Sequence, residues 1–308
     1  MRAAIDWSYD LLDELERNVL DRCAVFVGGF DLAAIAAVAV SLEIDEIEVA
    51  GCIGSLVAKS LVERGEDDRG SRYRLLEMIR QYLAERLEDG GAATEARDLH
   101  ARHYLAFAKH RFAAANSTAA WDAINDLDRE VANLAAAGRW LIDRGRSAEL
   151  LEFFADVPFV DSTALPAAVL DALGRTAADC IAVNESPTHR GAREACFVAA
   201  MRHFFDGDTT AYRRYSEVGN TIPGPPSARM TLLASSVAMI IEGDVEKATQ
   251  IAKDAIEIAR VNGSREELAF TLGFIAVFEQ LIHPDDALRH ALEGVALARR
   301  CGSPIALL

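Results

Sequence analysis

Two segments of this chain superpose at an offset of 39 residues: "DVEKATQIAKDAIEIARVNGS" (244–264) and "PDDALRHALEGVALARRCGS" (284–303). The offset sets Ala248 on Ala287, Ala252 on Ala291, Ala259 on Ala298, Gly263 on Gly302 and Ser264 on Ser303. Small residues at helical spacing let two helices approach closely, and a period near forty is that of a tetratricopeptide-like solenoid. "GDTTAYRRYSEVGN" (207–220) reads as a more degenerate copy, opening on Gly-Asp as Gly243-Asp244 does. The repeat therefore predicts stacked helix pairs, with helices at 93–114, 119–143, 146–156, 164–182, 188–206, 208–220, 227–242, 244–262, 264–281 and 284–301. The last residues, "GSPIALL", read as the start of a further helix, so the solenoid is expected to be truncated at its C-terminal end.

The first ninety residues are patterned differently. Residues 2–12 predict a helix with Ile5, Leu11 and Leu12 inward. Asp13 stands where an N-cap should, with Glu16 three residues on, and a capping box there starts a helix running to about Phe26. Leu15, Val19, Leu20, Cys23 and Ala24 form its apolar stripe. Gly28-Gly29 ends it, and Asp31 caps a helix over 32–40. A fourth helix, 43–60, turns Ile44, Ile47, Ile53, Leu56 and Val57 inward. The period then changes: "LVERGEDDRGSRYRLL" predicts strands at 61–64 and 72–76 around an acidic turn, followed by a helix that Gly90-Gly91 stops. Helices followed by one hairpin make a winged helix. The expected fold is mainly α, a winged-helix domain over 1–90 and a tetratricopeptide-like α-solenoid over 91–308.

Composition narrows the chemistry. The net charge is −16, of which residues 1–90 carry −9. Affinity for nucleic acid rests on neutralising phosphates, and the candidate recognition helix holds Glu43, Asp45, Glu46 and Glu48 against Lys59 alone. Its wing turn, "RGEDDRG", is acidic at the tip, with Arg69 as a base. Direct DNA binding is not expected of this module. No run reaches the ~20 apolar residues of a membrane span. The five cysteines (Cys23, Cys52, Cys180, Cys196, Cys301) form no CxxC pair and read as buried reduced thiols of a cytoplasmic protein.

No catalytic constellation emerges. Gly28-Gly29 lies between helices and lacks the Lys-Ser/Thr of a phosphate loop, so it reads as a helix stop. His100, His103 and His110 share a helix, yet no carboxylate or cysteine completes a metal set at a familiar spacing. Asp67-Asp68 and Asp285-Asp286 read as a turn and a helix start. Neither a Walker A sequence nor a GxSxG elbow occurs. The chain is expected to be no enzyme and to carry no cofactor and no metal.

"AAIDWSYDLLDELERNVLDRCAVFVGGFDLAAIAAV", "GSLVAKSLVER" and "YRLLEMIRQYLAERL" together resemble the winged-helix segment of STAND-class (NB-ARC-type) signalling ATPases. The nearest likeness is to actinobacterial regulators joining such an ATPase to helical repeats, often with a LuxR-type or adenylate cyclase domain elsewhere. The resemblance covers residues 1–110 and is only architectural over the repeats. It implies a winged helix that packs on a P-loop nucleotide-binding domain, supplied in cis or in trans, and repeats that sense an effector. The family's nucleotide-sensing Met-His-Asp motif falls here on Leu75, Leu76 and Glu77, with Leu76 replacing the histidine that would meet phosphate. Leu75 and Leu76 are expected to pack within the wing. The alternative is a free-standing winged-helix DNA-binding regulator with a helical sensor. A third reading is a peptide-binding scaffold without an ATPase partner.

Overall fold

The computed structural model describes residues 2–67, 69–115, 120–156, 189–280 and 282–301. They divide into two compact units, Met1–Phe107 with Ala132–Trp140, and Ala108–Val131 with Leu141–Leu308. The fold is mainly α, a winged helix followed by a helical-repeat region, with one two-stranded antiparallel sheet.

In the first unit, α1 (Arg2–Asp10) precedes α2 (Glu14–Cys23), whose N-terminus is the expected capping box: Asp13 accepts from Glu16 N–H at 2.8 Å and Glu16 accepts from Asp13 N–H at 3.1 Å. Asp31 caps α3 (Leu32–Ala39), and Asp45 with Glu48 forms a second capping box on α4 (Glu46–Ala58). β1 (Glu63–Asp67) pairs with β2 (Gly70–Arg74), and α5 (Glu77–Asp89) stops at Gly90. Val19, Leu20 and Cys23 of α2 meet Ile35 and Val38 of α3, Ile53 and Leu56 of α4, and Leu83 of α5 in a fully buried core.

Several local expectations are corrected. Leu11 is exposed, and Leu12 alone of that pair is buried. Ile47 is 82% exposed, because a helix that starts at Glu46 buries Val49, Cys52, Ile53 and Leu56 and leaves Ile47 about 200° from Val49. The strands sit closer to the turn than expected, β1 starting two residues later and β2 two residues earlier. Ser60 takes a left-handed φ of 58°, and the amides of Leu61 and Val62 then donate to Leu56 O at 3.0 and 3.3 Å. Those amides close the end of α4, so β1 starts only at Glu63. Phe30 bridges the other edge of β2, exchanging hydrogen bonds of 2.8 Å with Tyr73.

Along the rest of the chain come α6 (Ala93–Ala115), α7 (Ala120–Arg129), α8 (Val131–Asp143) and α9 (Ser147–Asp156). The helix expected over 119–143 is thus two, separated at Glu130, whose amide makes a tight turn bond to Leu127 O. The helix expected over 164–182 lies outside the described residues. The second unit continues with α10 (His189–Asp206), α11 (Thr209–Thr221), α12 (Ala228–Val237, extended by a π-turn Ala238–Glu242), α13 (Val245–Asn262), α14 (Arg265–Glu279) and α15 (Pro284–Cys301). Each packs against the next as an antiparallel pair, α10 with α11, α12 with α13 and α14 with α15.

The repeat is visible in the packing. Ala248 and Ala287 are both buried, as are Ala259 and Ala298. A Cβ at Gly294 would stand 3.1 Å from Ala269 O, so α14 and α15 touch backbone to backbone there. Leu232, Ala252, Ala255, Ile256, Leu272 and Ile275 make a continuous core from α12 to α14. Gly302 and Ser303 of the repeat lie outside the described residues.

Candidate functional site

The winged helix presents three features where function could reside: the outer face of α4, the wing, and the Gly28-Gly29 loop. α4 occupies the recognition-helix position. Its exposed stripe is Ile47, Gly51, Gly54 and Ala58, rimmed at the N-terminus by Asp45, Glu46 and Glu48. A Cβ at Gly51 or Gly54 would meet nothing within 4 Å, so no packing among the described residues explains either glycine. Lys59, the base at the C-cap of this helix, is 39% exposed along its side chain but is held by an acid. Its Nζ lies 2.5 and 2.6 Å from the two carboxylate oxygens of buried Glu16, which also accepts from Ser55 Oγ at 2.6 Å. Burial pulls the Glu16 pKa upward, but Lys59, Ser55 and the Asp13 amide outweigh it and hold the group below its usual range.

At the wing, a cavity of 810 Å³ opens between the end of α4 and the hairpin, lined by Val57, Ser60, Val62, Arg64, Arg72 and Arg74 among others. Two of these cations are paired, Arg74 with Glu63 across the hairpin and Arg64 with Glu66 along β1, both at 2.6 Å. Arg72 donates to Gly29 O at 3.1 Å. Arg69 stands exposed in the turn, and Asp68 lies outside the described residues. This gathering of arginines was not legible from the sequence, because its members come together only when the hairpin pairs.

The Gly28-Gly29 loop has a different task. Both glycines have positive φ, 82° and 116°, and a Cβ at Gly29 would sit 2.9 Å from Tyr73 O. The loop exposes two backbone groups to one side chain: Val27 N–H donates to Asn133 Oδ1 at 2.7 Å, and Asn133 Nδ2 donates to Gly29 O at 2.8 Å. Asn133 is fully buried. Sequence reasoning missed it, since nothing local distinguishes a core asparagine more than a hundred residues from the amides it satisfies. His100 completes the cluster, 3.4 Å from Asn133 Oδ1 and packed edge-on to Phe26. Burial drives its pKa down to about 4, only partly offset by the Asn133 bond.

Leu75 and Glu77 line one cavity in this structure, and Leu76 does not. Leu75 is half-buried beside a 270 Å³ cavity that Gly28, Gly29 and Arg80 also line. Leu76 is the N-cap of α5 and is 52% exposed, which corrects the expectation that it packs within the wing. Glu77 is clasped by Arg80 at 2.8 and 2.9 Å and by Gln81 at 2.8 Å, and these bonds lower its pKa to about 2. His110 is exposed, and the described residues contain no cluster of metal-ligating side chains. Cys23, Cys52 and Cys196 are buried and form no disulfide; burial pushes the Cys196 thiol up to about 12. Cys180 lies outside the described residues. Asp286, at the start of α15, pairs with Arg289 at 2.5 Å.

Residues 12–88 match the family model of a winged helix-turn-helix domain. Over 158 residues, 49% of its length, the chain is 42% identical to a Mycobacterium tuberculosis protein named as an HTH-type transcriptional regulator, of which the match takes in 17%. It is also 42% identical over 93 residues, 30% of its length, to an uncharacterized Mycobacterium bovis protein, of which 23% is covered. The chain thus spans less than a fifth of the length of the regulator it matches. A STAND protein with a tetratricopeptide repeat sensor from Pyrococcus horikoshii aligns with 95% of this chain and 52% of its own, at 13% identity and a TM-score of 0.31. A score that low carries no argument. Among the described residues, no helix is long and apolar enough to cross a membrane.

Proposed function

We propose that this chain is a non-enzymatic regulatory part of a STAND-type transcriptional or signalling regulator of the cytoplasm. Its winged helix works by protein contact with a P-loop nucleotide-binding domain, in cis or in trans, and its repeats sense an effector. The observation that carries the reading is the outer face of α4. A helix that reads a major groove needs side chains reaching base edges and cations near phosphate. This one offers Ile47 and a smooth run of Gly51, Gly54 and Ala58 under an acidic rim, with Lys59 held by Glu16. A smooth apolar face suits a closely approaching protein backbone. The regulator would act as a population shift, effector on the repeats altering the contact made by the winged helix.

The second reading is direct DNA contact through the wing. It is favoured by Arg64, Arg72 and Arg74 around one cavity and by the winged helix-turn-helix family match. Fluorescence anisotropy on duplex DNA at low salt separates the two. The protein-contact reading expects no saturable binding by the full chain, and no change on Lys59→Glu or Arg69→Glu. Salt-sensitive binding that Arg64→Glu or Arg74→Glu abolishes would establish the wing reading instead. In a parallel assay, millimolar Mg-ATP should leave the melting temperature unchanged and release no phosphate. Hydrolysis that follows the protein through purification would overturn the non-enzymatic reading.

A further inference from the structure

In the repeat unit, a cavity of 320 Å³ lies where the ends of α10, α12, α13 and α14 meet the proline-rich loop 223–226. It holds two arginines and two glutamates, and their pairing is uneven. Arg229 is buried and takes Glu194 as its close partner. Arg193 donates to Pro225 O at 2.5 Å, but among the described residues no carboxylate lies within ion-pair distance and its buried Nε has no hydrogen-bond partner. Burial lowers the Arg193 pKa; the acid whose charge it feels, Glu194, is engaged elsewhere. Gly224 makes room for this guanidinium, since a Cβ there would lie 2.8 Å from Arg193 Nη1.

Glu267 is the complementary anomaly. With Ser264 it forms the Ser-x-x-Glu pattern that usually closes a capping box. Ser264 does accept from Glu267 N–H, at 3.1 Å, but the return bond from the Glu267 carboxylate is not made. That carboxylate lies 3.8 Å from Arg229 Nε, with a side-chain exposure of 21% and no hydrogen-bond donor of its own. Among the described residues, one cavity therefore holds a guanidinium without an ion-pair acid and a carboxylate that has only the long ion pair to Arg229 and no hydrogen bond. Shielded charges left this way are costly unless something completes them. A simple anion would satisfy the first and be repelled by the second.

We propose that this cavity binds a small zwitterion of the free amino-acid class, its carboxylate on Arg193 and its ammonium on Glu267. The volume is at the small end of ligand pockets, about 300 Å³ and upward. Exposed Asn262 lines the rim and adds an amide to the lining. The proposal deepens the sensor reading of the repeats and rests on it for its biological use. Binding itself is tested apart from that reading, so failure here leaves the winged-helix reading standing, and the reverse.

The test is thermal shift and titration calorimetry on the full chain with a panel of free L-amino acids of proteins. Each is compared with its N-acetyl derivative, with succinate and with butylamine at matched ionic strength. The expected result is a rise in melting temperature and measurable heat from at least one amino acid, by binding to the folded state. Its N-acetyl derivative, succinate and butylamine should give neither. Arg193→Gln and Glu267→Gln should each weaken binding about tenfold or more, as loss of a charge-assisted contact does. The N-acetyl comparison needs no variant and holds even if one of these fails to fold. Silence from the whole panel would overturn the proposal, as would equal binding of the N-acetyl form or undiminished binding by both variants.

Discussion

Asn133 and His100 show how one buried polar pair ties distant sequence together. Asn133 satisfies Val27 N–H and Gly29 O at once, so Asn133→Ala leaves Val27 N–H without its partner and Gly29 O with Arg72 alone. The expected loss is roughly 1–3 kcal/mol in urea unfolding followed by circular dichroism. His100 contributes a pH dependence of definite sign. It is neutral in the fold, with a pKa of about 4 against 6.5 in the unfolded chain. As pH falls below about 6.5 the unfolded state takes up the proton first, and stability drops until about pH 4, by about 3 kcal/mol in all. Unfolding midpoints across that window should slope for the parent and flatten in His100→Gln. Glu16 acts with the same sign in a more acidic window: its lowered pKa contributes stability that is present above the ordinary carboxylate range and is lost as pH falls through its folded value.

At the scale of the element, α4 keeps two glycines where helix propensity argues against them. Each costs about 0.5–1 kcal/mol relative to alanine in a helix interior, and neither is required by a neighbour among the described residues. Gly51→Ala and Gly54→Ala should therefore raise the urea midpoint of the isolated chain. A drop in stability would mean that the face is already covered. Gly29 behaves oppositely. Its φ of 116° and the 2.9 Å approach of a Cβ to Tyr73 O mean that Gly29→Ala strains the loop and pushes Phe30 off β2. The two kinds of glycine look identical in sequence and differ only in what surrounds them.

For the molecule as a whole, we keep the division into a winged-helix domain, 1–90, and a repeat domain, 91–308, as a proposal, and the first unit supplies its test. Residues 93–107 and 132–140 belong to that compact unit, and Asn133 lies among them. A fragment of residues 1–90 should keep helical circular dichroism but unfold at lower urea than a fragment of residues 1–143, because it lacks the side chain that satisfies the Gly28-Gly29 loop. Equal midpoints would show that the winged helix needs nothing beyond residue 90.

Sequence by itself determined what depends on near neighbours. The capping box at Asp13, the cap at Asp31 and the stop at Gly90 are local chemistry, and the repeat register from Ala248 to Ala298 is simple periodicity. Local signals failed wherever the other partner is remote or the phase of a helix is set a turn away. Leu61 and Val62 look like strand residues but finish α4, Ile47 looks like core but faces solvent, and Leu76 caps a helix without packing in the wing. Tertiary structure alone decided that Gly28-Gly29 is a backbone socket for Asn133, that Lys59 is held by Glu16, and that Arg193 and Glu267 share one cavity. The reason is physical: a side chain's charge and hydrogen bonds are settled by whatever the fold places within about 3 Å of it, and sequence distance carries almost no information about that.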